Sequence, residues 1–260
     1  MGSQQMQSKL WGQRPKDWAT IQEPTGKIGY EHALEFIKLQ PIDKLLDIGC
    51  GTGYFISLAA QSGAEIIGFD ATGQFIEEAK QHNPSVKFLV GEMEELPFAD
   101  DSFDIVTGFN SFQYASDVKN ALMQAKRVLK KEGKIVVMVW GNKEDCDIIS
   151  FLKAIGSLMP PPPSGSPGPF ALTENHLLER ILEDIGFKIL NVKDVDSIWD
   201  YPDTETAIKG LLSAGPSAKA IEHAGFENVV KSTLGVIKSY SKSNGHIVFA
   251  NKFRIVIAEK

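Results

Sequence analysis

Along the first half of the chain, short apolar runs alternate with longer stretches whose apolar residues recur every three to four positions. Residues 45–48 (Leu-Leu-Asp-Ile) read as a buried strand that breaks on glycines and enters a helix over 55–61. The alternation continues with strands over 64–70, 86–90 and 101–108 and helices over 72–81 and 121–129. A helix over 28–39, with Tyr30, Ala33, Leu34, Phe36 and Ile37 as its apolar positions, precedes them. The stretch 133–140, apolar without interruption from Ile135, is expected to be a fifth strand covered on both faces. Later, residues 160–169 form a Pro/Gly/Ser tract that reads as an extended linker, and a helix over 176–185 is closed by Gly186 as its C-cap. Residues 187–195 alternate as a strand, 202–242 are a largely helical insertion, and Asn244-Gly245 turns into a closing strand over 246–249 and 253–258. Strands that alternate with helices predict an α/β fold with a doubly wound sheet.

The most informative stretch is Asp47-Ile48-Gly49-Cys50-Gly51-Thr52-Gly53, where the first strand turns into its helix. Glycines without Cβ atoms let the backbone approach a ligand closely, and free N–H groups at a helix start favour a polar or anionic group there. The spacing excludes two common ligands. A dinucleotide fingerprint needs a third glycine where Tyr54 stands, and no Gly-Lys-Ser/Thr triplet follows as a phosphate loop requires. The next strand ends on Asp70, followed by Ala71, about twenty positions after the glycines. A nucleoside-binding α/β fold places its ribose ligand at that position; a plain helix N-cap is the other role open to Asp70.

Composition narrows the class. The chain has 260 residues, 43% of them apolar, which suffices for one large domain without staples. Its formal net charge of −6 argues against a broad nucleic-acid footprint. Two cysteines, Cys50 and Cys146, form neither a disulfide framework nor a metal signature, so no metal is expected and a reducing cytoplasm fits. The longest apolar run, 135–140, is too short to span a bilayer, and the polar residues 1–7 hold no signal-peptide core.

The stretch LLDIGCGTGYF resembles motif I of the class I S-adenosylmethionine (SAM) dependent methyltransferases, near the ubiquinone/menaquinone-type small-molecule branch. The resemblance extends over residues 40–140. Gly91-Glu92-Met93 with Leu96-Pro97-Phe98 is similar to the family stretch whose acidic side chain reaches the adenine amine and whose next residue packs on the ring. Ser102-Phe103-Asp104 resembles the fourth-strand signature, leading to Asn110, Ser111 and Gln113 as candidates for the methionine end. The resemblance implies seven strands in the order 3-2-1-4-5-7-6 with the seventh antiparallel. It implies SAM as cofactor and S-adenosyl-L-homocysteine (SAH) as product. The cofactor set is then Asp47, Gly49, Cys50, Gly51, Gly53, Asp70, Ala71, Gly91, Glu92, Met93, Asn110, Ser111 and Gln113.

Residues 1–40 are expected to form an arm over the cofactor mouth, with Trp18 or Trp11 facing the sulfonium or the acceptor and Arg14 meeting a carboxylate. Both tryptophans acting simply as core caps is the alternative. Residues 41–260 form the catalytic domain, with 202–242 as a lid that shapes the acceptor pocket. The Asn/Asp-Pro-Pro-aromatic tetrapeptide of nucleobase-amine methyltransferases is absent, which points to a small-molecule acceptor. A protein or RNA acceptor, or nucleoside binding without transfer, would leave the same motifs. No side chain demands a catalytic role. If a hydroxyl acceptor needs deprotonation, His223 in the insertion is the candidate base. The oligomeric state is not legible.

Overall fold

The computed structural model describes residues 2–161 and 167–260, so half of the expected linker, residues 162–166, lies outside the described residues. Among the described residues seven strands form one sheet: β1 Lys44–Ile48, β2 Glu65–Asp70, β3 Lys87–Val90, β4 Phe103–Phe109, β5 Leu129–Trp140, β6 Lys188–Tyr201 and β7 Ile247–Glu259. Their order is β3-β2-β1-β4-β5-β7-β6. β1 to β5 run parallel, and β7 is antiparallel to both β5 and β6. The expected topology is thus the observed one.

Helices cover both faces. They are α1 Gln4–Trp11, α2 Pro15–Asp17, α3 Lys27–Ile37, α4 Tyr54–Ala59, α5 Gly73–His82, α6 Val118–Val128, α7 Ile148–Gly156, α8 Leu177–Asp184, α9 Thr204–Leu212, α10 Gly215–Ala224 and α11 Phe226–Ile237. Side chains alternate between the faces, as the strand period requires. Leu45, Ile105, Val136 and Ile255 join one apolar core, whereas Leu46, Val106, Ile135 and Val256 join the other with Leu122 and Ala125 of α6. That double burial explains why β5 is apolar at every position from Ile135 to Trp140.

β5 starts at Leu129 rather than 133, and two further boundaries differ from expectation for physical reasons. β6 continues past Val195 to Tyr201, because its pairing with β7 persists to Tyr201 opposite Ile247. β7 is one continuous strand through Asn251 rather than two pieces. Among the described residues no helix is long and apolar enough to cross a membrane.

The arm and the insertion meet above the carboxyl ends of the strands. Lys9 of α1 pairs with Glu222 of α10 at 3.0 Å, and a Cβ at Gly215 would lie 2.6 Å from Trp11 Nε1. Between α2 and α3 the chain makes a single π-helical turn, Trp18–Gln22, and a 3-10 turn, Glu23–Gly26. These two turns aim the arm's side chains into the molecule.

Candidate active site

The turn after β1 needs glycine for conformation and for space. Gly49 and Gly51 have φ of 73° and 56°, and a Cβ would collide with Ser111 at Gly49 and with Glu23 Oε1 at Gly51. The turn's own N–H groups, from Gly49 to Gly53, all have acceptors within the protein. Gly49 and Cys50 donate to Phe69 O, and Gly53 donates to Cys50 O. Gly51 N–H donates to Asp70 Oδ2 at 3.0 Å, and Thr52 N–H donates to Glu23 Oε1 at 2.9 Å.

Carboxyl groups therefore surround the turn. Asp47 is 2% exposed and accepts from the Thr107 hydroxyl at 2.7 Å. Asp70 is 8% exposed and also accepts from Thr72 N–H at 2.8 Å, so its N-cap-like role is present. Glu23 is 6% exposed and accepts from the Thr52 hydroxyl as well. Burial pushes Glu23 up to about 8 and Asp47 up to about 7, while their hydrogen bonds from Thr52 and Thr107 pull the other way. Burial also raises Asp70, to about 6, against hydrogen bonds from Thr72 and Gly51. The charge of Asp70 adds to the shifts of both Glu23 and Asp47. Three buried acids thus share one site, and no Lys, Arg or His lines its cleft among the described residues. Such a cluster favours an incoming cation.

The cleft encloses about 1450 Å³ of empty space, counted out to its open mouth. It collects most of the residues singled out from the sequence. Asp47, Gly49, Cys50, Gly51, Asp70, Ala71, Gly91, Glu92, Met93, Asn110, Ser111 and Trp18 all line it. Asn110 adopts φ of 51° and donates its N–H to Met138 O of β5 at 2.8 Å, and Ser111 donates to Ile48 O at the end of β1 at 2.7 Å, so the end of β4 is tied to both neighbouring strands. Trp18 stacks on Phe75, with ring centroids 5.9 Å apart, and its buried Nε1 has no hydrogen-bond partner among the described residues.

Four candidates stand elsewhere. Gly53 packs behind the turn, where a Cβ would lie 2.8 Å from Asn83 Nδ2. Gln113 is outside the lining, and its Nε2 donates to Asn110 Oδ1 at 3.3 Å. Arg14 does not reach the cleft: it pairs with Asp17 at 3.5 Å and lies 5.0 Å over the Phe226 ring. His223 is exposed on α10 and lines no part of the cleft. Glu92 has both oxygens in use, accepting from Gln4 N–H at 2.7 Å and Glu94 N–H at 3.1 Å, so it also tethers α1.

Sequence reasoning missed Glu23, Gln22, Thr52 and Tyr30, all cleft-side or in contact with it. A buried charge inside an aromatic arm segment carries no periodic signal.

Comparison with known proteins agrees with this geometry. A family model described as "Methyltransferase domain" matches residues 46–137. The malonyl-[acyl-carrier protein] O-methyltransferase of Erwinia pyrifoliae is 31% identical over 197 residues, which cover 76% of this chain and 70% of the relative. The demethylmenaquinone methyltransferase of Thermotoga maritima is 35% identical over 98 residues, covering 37% of this chain and 43% of the relative. The chain spans about half or less of the length of several other curated relatives it matches. The crystal structure of the YcgJ protein from Bacillus subtilis superposes with a TM-score of 0.59 at 22% identity, covering 90% of this chain and 98% of that one, which shows the shared fold. By sequence and by fold, the chain belongs to the class I SAM-dependent methyltransferases, whose cofactor is S-adenosyl-L-methionine.

Proposed function

We propose that the protein transfers the methyl group of SAM to a small-molecule acceptor by in-line displacement and releases SAH. The observation that carries this reading is the cluster of Glu23, Asp47 and Asp70 around the glycine turn, buried and without a basic partner among the described residues. It fits a ligand that carries positive charge on its sulfonium and its α-ammonium. The Trp18 Nε1 beside Gly51, unpartnered among the described residues, fits the same cofactor.

When bound, SAM supplies an electrophilic methyl group on sulfur. The chain's own residues then divide the binding work. Asp70 holds ribose hydroxyls, and Glu92 with Met93 meets the adenine edge and face. Ionised carboxylates accept through several lone pairs, so Asp70 and Glu92 keep acceptor capacity beyond the bonds they already make. Glu23 and Asp47 balance the cationic end, and Ser111, bonded to Ile48 O, holds the start of the turn in shape. Residues 1–40 and the insertion 202–242 serve as the cover that excludes water. Fixing donor and acceptor in a closed cleft accounts for a large share of the rate, about 7–11 kcal/mol where alignment is good.

The relatives are named for two different acceptors, demethylmenaquinone and malonyl-[acyl-carrier protein], so kinship alone does not name this one. Calorimetric titration with SAH tests the cofactor half. Binding at about 1 μM or tighter is expected, equivalent to about −8 kcal/mol. No detectable binding would contradict the reading. Transfer itself is checked with methyl-labelled SAM and a panel of small acceptors.

A further inference from the structure

Past the glycine turn the cleft changes character. Its far wall is built by Trp140 at the end of β5, Phe253 of β7, Trp199 of β6, Phe151 and Leu152 of α7, and Leu211 of α9. The Trp140 ring centre is 5.0 Å from that of Phe253 and 5.6 Å from that of Trp199. Trp199 Nε1 already donates to Ser197 Oγ at 3.0 Å, and that hydroxyl donates to Thr25 O at 3.0 Å, so the indole has no donor left to offer. At the boundary between the two halves sits Gln22, whose Oε1 accepts from the Tyr201 hydroxyl at 2.8 Å. It is a fixed, uncharged amide that suits a neutral polar atom.

The charges of the cleft lie at one end only. Glu23, Asp47, Asp70 and Glu92 line the cofactor end, and no basic side chain lines either end among the described residues. An anionic group on the apolar wall would lose its water, find no counter-ion and face the carboxylates. A flat ring would instead meet aromatic surfaces on several sides.

We propose that the Trp140–Trp199–Phe253 wall is the acceptor subsite and that it takes an apolar, ring-bearing molecule with no anionic group. This assignment rests on the adjoining half being the SAM site. An acceptor of this kind reaches the enzyme with its ring already built and its hydroxyl, amine or carbon nucleophile unmethylated. A ring-forming or ring-hydroxylating reaction is the class that would supply it.

The test uses two fluorescent probes of the same skeleton, neutral N-phenyl-1-naphthylamine and anionic 1-anilinonaphthalene-8-sulfonate. Both are titrated into protein saturated with SAH, so that the cofactor half is filled. The neutral probe is expected to bind at least about tenfold more tightly than the sulfonate, with Trp140→Ala weakening it about fivefold or more. Leu152→Arg adds a cation to the wall and is expected to invert the order, bringing the sulfonate to or above the neutral probe. SAH titration of each variant reports whether its cofactor half is intact. Equal affinity of the two probes for the parent protein would overturn the assignment, as would an unchanged order in a Leu152→Arg protein that still binds SAH. Failure of the parent to bind SAH at all would instead overturn the proposed function, and this assignment with it.

Discussion

The two halves of the cleft are built on opposite principles. At the glycine turn, polar groups are held by short-range sequence: Asp47 lies two residues before Gly49, and Asp70 closes the next strand. Each is buried, hydrogen-bonded and pushed toward its neutral form. At the far wall, Trp140, Trp199 and Phe253 arrive from three strands and bring no charge. The first half is a polar recognition site for a fixed cofactor, and the second is a shape-selective surface. This difference separates what changes cofactor affinity from what changes acceptor choice.

Substitutions at the turn are expected to give the largest effects. Gly51→Val combines a positive φ with a collision against Glu23, and each effect costs about 1–3 kcal/mol. SAH binding by calorimetry should fall by about 100-fold or more. Asp70→Ala should weaken SAM binding by about 2–4 kcal/mol, since it removes a ribose acceptor and frees the Gly51 and Thr72 N–H groups. Unchanged affinity in that variant would mean that the ribose lies elsewhere. Glu23→Gln keeps a side-chain oxygen for Thr52 but removes the charge, and should cost SAM about tenfold while costing SAH less. An equal loss for both ligands would show that Glu23 acts through the shape of the turn and not through its charge.

The same cluster sets a pH dependence. Glu23, Asp47 and Asp70 have folded values of about 8, 7 and 6 against ordinary values of 4.5, 3.8 and 3.8. The folded ligand-free protein therefore keeps protons that the unfolded chain has lost. Stability from these groups is fully present below pH ~4 and declines as pH rises toward 8, by up to about 1.4 kcal/mol per pH unit for each titrating group. Thermal unfolding of the ligand-free protein between pH 5 and 8.5 checks the direction, and Glu23→Gln should flatten the upper part of the curve. At the other end of the scale, Trp140→Phe should leave SAH affinity within about twofold, because the ring it changes faces the acceptor half.

How much of this was legible in the sequence follows the same division. Asp47, Gly49, Gly51, Asp70 and Glu92 sit at fixed offsets from strand ends, so a linear motif located them on one cleft. Arg14 and Gln113 were assigned from their neighbourhood in sequence, and their side chains turn to Asp17 and Asn110 instead. Glu23 escaped because its role depends on a π-helical turn that packs the arm onto Thr52. The extension of β6 was readable: Val195, Ser197, Trp199 and Tyr201 are buried in strict alternation, and charged or exposed residues lie between them. The aromatic wall was not. Trp140, Trp199 and Phe253 become neighbours only through the β5–β7–β6 pairing, a relation between distant segments that no local window contains.

The central claim is that the glycine turn and its buried acids form a site for a cation-bearing cofactor. Calorimetric titration with SAM at pH 7 in two buffers of different ionisation enthalpy tests it most directly. The account predicts binding with net proton release, since the positive charge draws Glu23 and Asp47 toward their ionised forms. Binding with no proton exchange, or no binding, would contradict it.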